Sequence, residues 1–213
     1  MSDLVKVDVW SDVVCPFCYL GSRQLAQAIE IFEHPVDVTH HAFELDPHAP
    51  ASVNETLDEL LATKYAMPVE RARAINERLA AQAREAGLTF AFATVRPANS
   101  FDAHRLIALA ASQGLADAMT TRLFRSYFSD GRLISDRETL STLADQVGVR
   151  GANELWGSEA FVEEVRRDEV DARRLGINGV PAFLIDERVM VSGAQGAASI
   201  AEALRQAWAA RSA

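Results

Sequence analysis

Apolar and charged residues alternate from Lys6 to Trp10, with Val5, Val7 and Val9 on one face, which is the two-residue period of a half-buried strand. The period then lengthens. Cys18, Leu25, Ile29 and Phe32 share one face of a helix that begins at Pro16 and runs to about Phe32. Proline suits a first helical position because its missing N–H has no intrahelical partner there. His34-Pro35 ends the helix, and Val36 to Phe43 alternates again as a second strand. Helical periods predict helices near 54–65, 68–86, 100–113, 116–128, 136–147 and 158–175. Ser52-Val53-Asn54-Glu55 and Ser135-Asp136-Arg137-Glu138 match the capping box, a helix-start signal. Gly87-Leu88, Gly114-Leu115, Gly148-Val149 and Gly176-Ile177 mark helix ends, with glycine left-handed and the next side chain packing back. Ala182 to Ile185 is an apolar, buried strand, Asp186-Glu187 a turn, and Arg188 to Val191 another strand. Gly193 and Gly196 precede a final helix to about Ala210.

The element order is therefore βαβ, a long helical stretch, then ββα. No Pro/Gly/Ser-rich linker separates the parts. This predicts an α/β fold with an inserted all-helical domain. Residues 1–45 and 176–213 form one discontinuous domain. Residues 46–175 form the insertion, whose last helix leads back into the first domain.

Composition narrows the function. The chain has 213 residues, 49% of them apolar, with 21 basic and 30 acidic side chains and a net charge of -9. No basic run exceeds two residues, at Arg166-Arg167 and Arg173-Arg174. Nucleic-acid and anionic-membrane surfaces need a basic face, so neither partner is expected. The N-terminus lacks a positive segment followed by an apolar one, and no apolar run approaches the ~20 residues of a membrane span. The expected location is cytoplasmic, where a protein disulfide is transient and catalytic or sensing.

The only two cysteines are Cys15 and Cys18. A loop that short contributes little chain-entropy stabilisation, so a structural disulfide explains the pair poorly. A closed zinc site needs four nitrogen or sulfur ligands, and none of the five histidines has zinc-finger spacing, so no metal is expected. Cys15-Pro16-Phe17-Cys18 sits where a strand meets a helix. Unpaired N–H groups and the helix dipole there favour a thiolate at Cys15, the N-terminal and more exposed position. Cys18 lies on the core-facing stripe, placed to attack a mixed disulfide on Cys15. Before the buried strand stands Gly179-Val180-Pro181, where a cis peptide is accommodated and the Val180 backbone is left for an extended substrate.

Trp10-Ser11-Asp12-Val13-Val14-Cys15-Pro16-Phe17-Cys18-Tyr19-Leu20-Gly21 resembles the N-terminal motif of the FrnE-like branch of the DsbA family, with Phe17 where tryptophan is usual. Phe43-Glu44-Leu45, Ala103-His104-Arg105-Leu106, Gly176 to Phe183 and Val191 to Gln195 extend the match over nearly the whole chain. The resemblance implies a thioredoxin-like fold, with the inserted helices as a lid, and dithiol–disulfide exchange. Cys15 would be the nucleophile, Cys18 the resolving thiol, and Val180-Pro181 the substrate-positioning turn. Partners would be a thiol or disulfide substrate and an external reductant or oxidant. Related 2-hydroxychromene-2-carboxylate isomerases and kappa-class glutathione transferases use serine in place of the first cysteine. They bring in glutathione as a candidate co-substrate, Gln195 as its contact, and a homodimer. No tightly bound cofactor is expected. Some FrnE-like proteins carry a second CxxC near the C-terminus, and this chain has none.

Phe17 cannot stabilise a thiolate as the histidine in DsbA's dipeptide can. The expected potential is nearer thioredoxin or disulfide isomerase, roughly -180 to -270 mV. Other candidates carry paired readings. Trp10 and Phe43 are core or cleft wall. His104 is a packed core histidine or a cleft group, and Asn99 a cleft group or a helix cap. Asp168 falls among Phe161, Val165, Ala172 and Leu175. It is either paired with an arginine or a proton relay for Cys18. His40 and His41 face opposite sides of a strand and read as structural. Two functional alternatives stay open: a glutathione-dependent isomerase or transferase acting on a small aromatic or polyketide-like substrate, and a non-catalytic chaperone-like binding protein.

Overall fold

The computed structural model describes residues 4–211, so the outer ends of the expected domain, residues 1–3 and 212–213, lie outside the described residues. Four strands form one sheet in the order β2-β1-β3-β4, from β1 (Val5–Ser11), β2 (Val36–Ala42), β3 (Ala182–Ile185) and β4 (Val189–Ser192). β1 runs parallel to β2, pairing Val7 with Val38. It runs antiparallel to β3, pairing Val9 with Phe183. A parallel pair needs a crossover, and α1 (Pro16–Glu30) supplies it. The fold is the thioredoxin-like α/β fold expected from the resemblance.

The alternation in β1 does what its period predicts. Val5, Val7 and Val9 are buried on one face with Leu25 and Ala28 of α1 and with Ile200 and Leu204 of α9 (Ala197–Ala209). At roughly 1.5–3 kcal/mol for each fully buried aliphatic side chain, that face fixes the register of the central strand. Trp10 closes the opposite face with Ala182 and Ile177. Between β2 and β3 the chain forms α2 (Leu57–Lys64), α3 (Val69–Glu85), α4 (Phe101–Ala111), α5 (Ala116–Phe128), α6 (Arg137–Val147), α7 (Ala152–Leu155) and α8 (Val162–Arg174). Their core joins Leu79, Leu106, Leu123, Phe124 and Phe128 to Cys15, Cys18 and Tyr19. The cysteine pair therefore packs with the helical part although β1 and α1 carry it.

Three local expectations need correction. The capping box lies at Thr56–Glu59 rather than Ser52–Glu55, because the Thr56 hydroxyl accepts from Glu59 N while Glu59 accepts from Thr56 N, and α2 starts at Leu57. Asp136, not Ser135, caps α6 by accepting from Thr139 N at 2.9 Å. The helix expected over 158–175 begins only at Val162, and the short α7 precedes it. Buried Arg105 accounts for the break. Its guanidinium donates to the carbonyls of Leu155, Ser158 and Ala160, which a continuous helix would have used internally.

Candidate active site

Cys15 is the N-cap of α1, and its backbone carbonyl accepts from Cys18 N at 3.0 Å. Pro16 occupies the first helical position. Both thiols are free. Cys15 is the more exposed of the two, at 4% against 1% for Cys18, but both are buried, with Leu79 of α3 in the core around them and the 179–180 turn beside Cys15. Cys15 Sγ nevertheless borders a cavity and lies 3.6 Å from the Val180 carbonyl, to which it donates. Cys18 hydrogen-bonds the Cys15 side chain. Burial pushes the Cys18 thiol well above its ordinary value, and the neighbouring Cys15 adds to the rise.

The Val180–Pro181 peptide is cis. The turn is packed against α1 at Gly21, where a Cβ would lie 2.8 Å from Pro181 Cγ, so only glycine lets the two approach. The Pro181 carbonyl accepts from Gly193 N at 2.7 Å, which brings the Ser192–Gln195 loop beside the turn. Gln195 itself is exposed, and its side chain donates to the Ser192 carbonyl.

The cavity at Cys15 measures about 570 Å³. Val14, Phe17, Leu45, Val53, Leu57, Leu60, Leu61, Met67, Ile75, Leu79 and Val180 give it apolar walls, with Asp12, Asp46 and Lys64 as its charged groups. Phe17, 47% exposed, stands at its mouth. A ligand here would gain mostly from apolar burial, with few polar groups to orient it.

The remaining candidates separate. His104 is buried with Nε2 3.4 Å from Asp12 Oδ1, and that nitrogen has no hydrogen-bond partner among the described residues. Asn99 donates to Glu44 at 3.2 Å and accepts from Phe101 N, so it orders the start of α4 and reaches a buried acid at once. Burial pushes Glu44 up, and Arg166 at 2.5 Å opposes that. Neither His104 nor Asn99 borders the large cavity. Trp10 does not border it either. It stacks on His41 at 4.4 Å and donates to the Asp168 carbonyl, as a core residue does.

Asp168 has neither of the settings foreseen for it. Its carboxylate accepts from Ala42 N at 2.9 Å and meets His41 Nδ1 at 2.8 Å, while Asp8 holds His41 Nε2 at 2.8 Å. Among the described residues it bonds to no arginine and no cysteine. The side of α8 facing β2 sets its partners, and an apolar stripe in sequence could not reveal a histidine there. Burial opposes the charge on His41, but Asp168 and Asp8 outweigh it and raise its pKa to about 9.

Asp12 was missed as a site residue, although it stands in the quoted motif. It is fully buried under the cysteine turn. Its carboxylate accepts from Val14 N at 3.2 Å and Leu45 N at 2.7 Å, its carbonyl accepts from Cys15 N, and its own N–H points at Cys18 Sγ at 3.5 Å. An acid between an apolar strand and the first cysteine was the available signal.

A family model described as a DSBA-like thioredoxin domain matches residues 6–205. The chain belongs to the DSBA-like thioredoxin domain family. A probable DsbA oxidoreductase of this type from Streptomyces coelicolor, SCO1869, is 36% identical and superposes with a TM-score of 0.92 over 96% of this chain and 90% of that one. The cytosolic disulfide reductase DsbM from Pseudomonas aeruginosa shares the fold at 22% identity, with a TM-score of 0.68 over 94% of this chain and 97% of that one. The uncharacterized protein YwbO of Bacillus subtilis (strain 168) is 28% identical over 196 residues, 90% of this chain and 92% of the relative. No helix among the described residues is long and apolar enough to cross a membrane.

Proposed function

We propose that the chain is a cytoplasmic thiol–disulfide oxidoreductase. The observation that carries this reading is Cys15 at the start of α1, bordering an apolar cavity and facing the Val180–Pro181 turn, with Cys18 buried beside it. Cys15 attacks a substrate disulfide and forms a mixed disulfide. Cys18 then attacks Cys15 Sγ, closing the intramolecular disulfide and releasing the substrate thiol. The opposite direction reverses these steps. The Val180 backbone positions an extended substrate segment, and the apolar walls favour a hydrophobic polypeptide or a small hydrophobic disulfide. With one cysteine pair, an outside thiol or disulfide must reset each turnover. DsbM, the cytosolic disulfide reductase, has also been solved with GSH, which supports glutathione in that role and a cytoplasmic location.

The second cysteine favours this over the isomerase or transferase reading, because those relatives need no resolving thiol. Insulin reduction and oxidation of reduced ribonuclease test it. The wild type is expected to catalyse at least one, and Cys15→Ser to fall to background. Catalysis of either by Cys15→Ser would overturn the assignment. A glutathione-dependent isomerase would instead tolerate loss of Cys18, and a chaperone-like protein would suppress aggregation with both cysteines replaced.

A further inference from the structure

Cys18 has a second face. Behind it lies another cavity of about 240 Å³, bounded by Cys18 and Ser22 of α1, Ser11 of β1, His40 of β2, and Asp117 and Thr120 of α5. The large cavity touches Cys15 but not Cys18, and this one touches Cys18 but not Cys15.

Two buried polar atoms at this cavity, His40 Nδ1 and Thr120 Oγ1, have no hydrogen-bond partner among the described residues. The His40 side chain is 7% exposed and Thr120 1%. Leaving such atoms unsatisfied costs about 1–3 kcal/mol each, whereas at ~30 Å³ per molecule the cavity has room for several waters that would satisfy them. His40 Nε2 meets Asp117 Oδ1 at 2.5 Å, and the Asp117 side chain is 77% exposed. Val9, Leu25, Ile29, Val38 and Phe124 line much of the rest of the cavity, so Cys18, His40 and the solvent-exposed Asp117 are ionisable groups that border one partly apolar space.

Disulfide exchange gives that space a task. In the resolving step, Cys18–SH must lose its proton as its sulfur attacks Cys15 Sγ. The Cys15–Cys18 bond forms, the bond from Cys15 to the substrate sulfur breaks, and the substrate leaves as a thiolate with the electron pair. One proton remains to be placed. Burial of Cys18 makes that proton hard to lose unaided. On the front, both carboxylate oxygens of Asp12 already accept backbone N–H bonds. Of the two unpartnered ring nitrogens, His104 Nε2 sits 3.4 Å from Asp12, whereas His40 Nδ1 belongs to the histidine that borders the Cys18 cavity. We propose that His40, held by Asp117, takes up the Cys18 proton through water in the rear cavity and passes it to solvent. In the reverse direction the same path reprotonates Cys18 as it leaves. The proposal rests on the exchange reading above.

The test separates the two steps. Reduced protein is mixed rapidly with 5,5′-dithiobis(2-nitrobenzoate). Attack by Cys15 releases one equivalent of the yellow thiolate, and resolution by Cys18 releases a second. Absence of the first burst in the wild type would defeat the exchange reading itself. In His40→Gln, the first burst is expected within about twofold of wild type and the second slowed about a hundredfold, the lower end of what a positioned acid–base group contributes. Imidazole added to His40→Ala should restore the second burst in proportion to its concentration, which a merely structural role would not produce. Asp117→Asn, at an exposed side chain, should slow the second burst several-fold with the fold intact. A second burst at wild-type rate in His40→Gln overturns the proposal. If that variant does not fold, an unchanged second burst in Asp117→Asn overturns it instead.

Discussion

Two histidine–aspartate groups, one half-buried and one buried, serve different ends. His41 is held from both sides, by Asp168 at Nδ1 and Asp8 at Nε2, each at 2.8 Å, and Trp10 stacks on its ring. Every polar atom of the ring is used, and the group ties β1, β2 and α8 together. His104 stands 3.4 Å from Asp12 with Nε2 unpartnered, and Asp12 is committed to the backbone around the cysteine turn. The first pair satisfies its polar groups completely and acts as a fastener. The second keeps spare hydrogen-bonding capacity next to reactive sulfur. A buried polar atom without a partner costs about 1–3 kcal/mol, so the second pair is held at a cost in stability that the first is not.

The sharpest way to break the comparison is through pH. His41 has its folded pKa raised to about 9 from an ordinary 6.5, so its contribution is full below pH 6.5 and is lost as pH rises through 9. Wild-type stability to urea should fall by about 2–3 kcal/mol between pH 6.5 and 9, and His41→Gln should lose most of that slope. Cysteine exchange in His41→Gln and Asp168→Asn should stay near wild type. An exchange rate that collapsed in Asp168→Asn at a pH where it is folded would make Asp168 part of the site after all.

Next in size is the contact beneath the turn. Gly21→Ala drives a Cβ to 2.8 Å from Pro181 and 3.2 Å from Phe183, an overpacking expected to cost roughly 1–3 kcal/mol in equilibrium unfolding. The smallest effect belongs to Asp12→Asn, which removes a negative charge that helps hold the Cys18 proton. The Cys18 pKa should fall, read as thiolate absorbance appearing at lower pH, while the potential near neutral pH, where Cys18 stays protonated, should hold close to wild type.

The parts legible in the sequence depend on neighbours along the chain. The alternation of Val5, Val7 and Val9, the position of Pro16, and the Cys15–Cys18 spacing all act within a few residues, and the strands and α1 lie where those patterns place them. Gly148, at φ 87, ends α6 as its Gly-Val signature predicts. What escaped depends on distant partners. The break between α7 and α8 comes from Arg105, some 50 residues away. Asp168 found a histidine 127 positions distant. Asp12 gained its role only once Leu45 and His104 enclosed it. Thr56 caps α2 because its hydroxyl and Glu59 satisfy each other, although the preceding Ser52-Val53-Asn54-Glu55 carries the same pattern.

The central claim is that Cys15 and Cys18 form a reversible disulfide of moderate potential. Equilibrating the protein in glutathione buffers of stepped potential, and alkylating the free thiols at each step, measures this directly. The account predicts one two-electron transition with a midpoint of roughly -180 to -270 mV, lost in Cys15→Ser. A midpoint as oxidising as about -120 mV, or no transition at all, would contradict it.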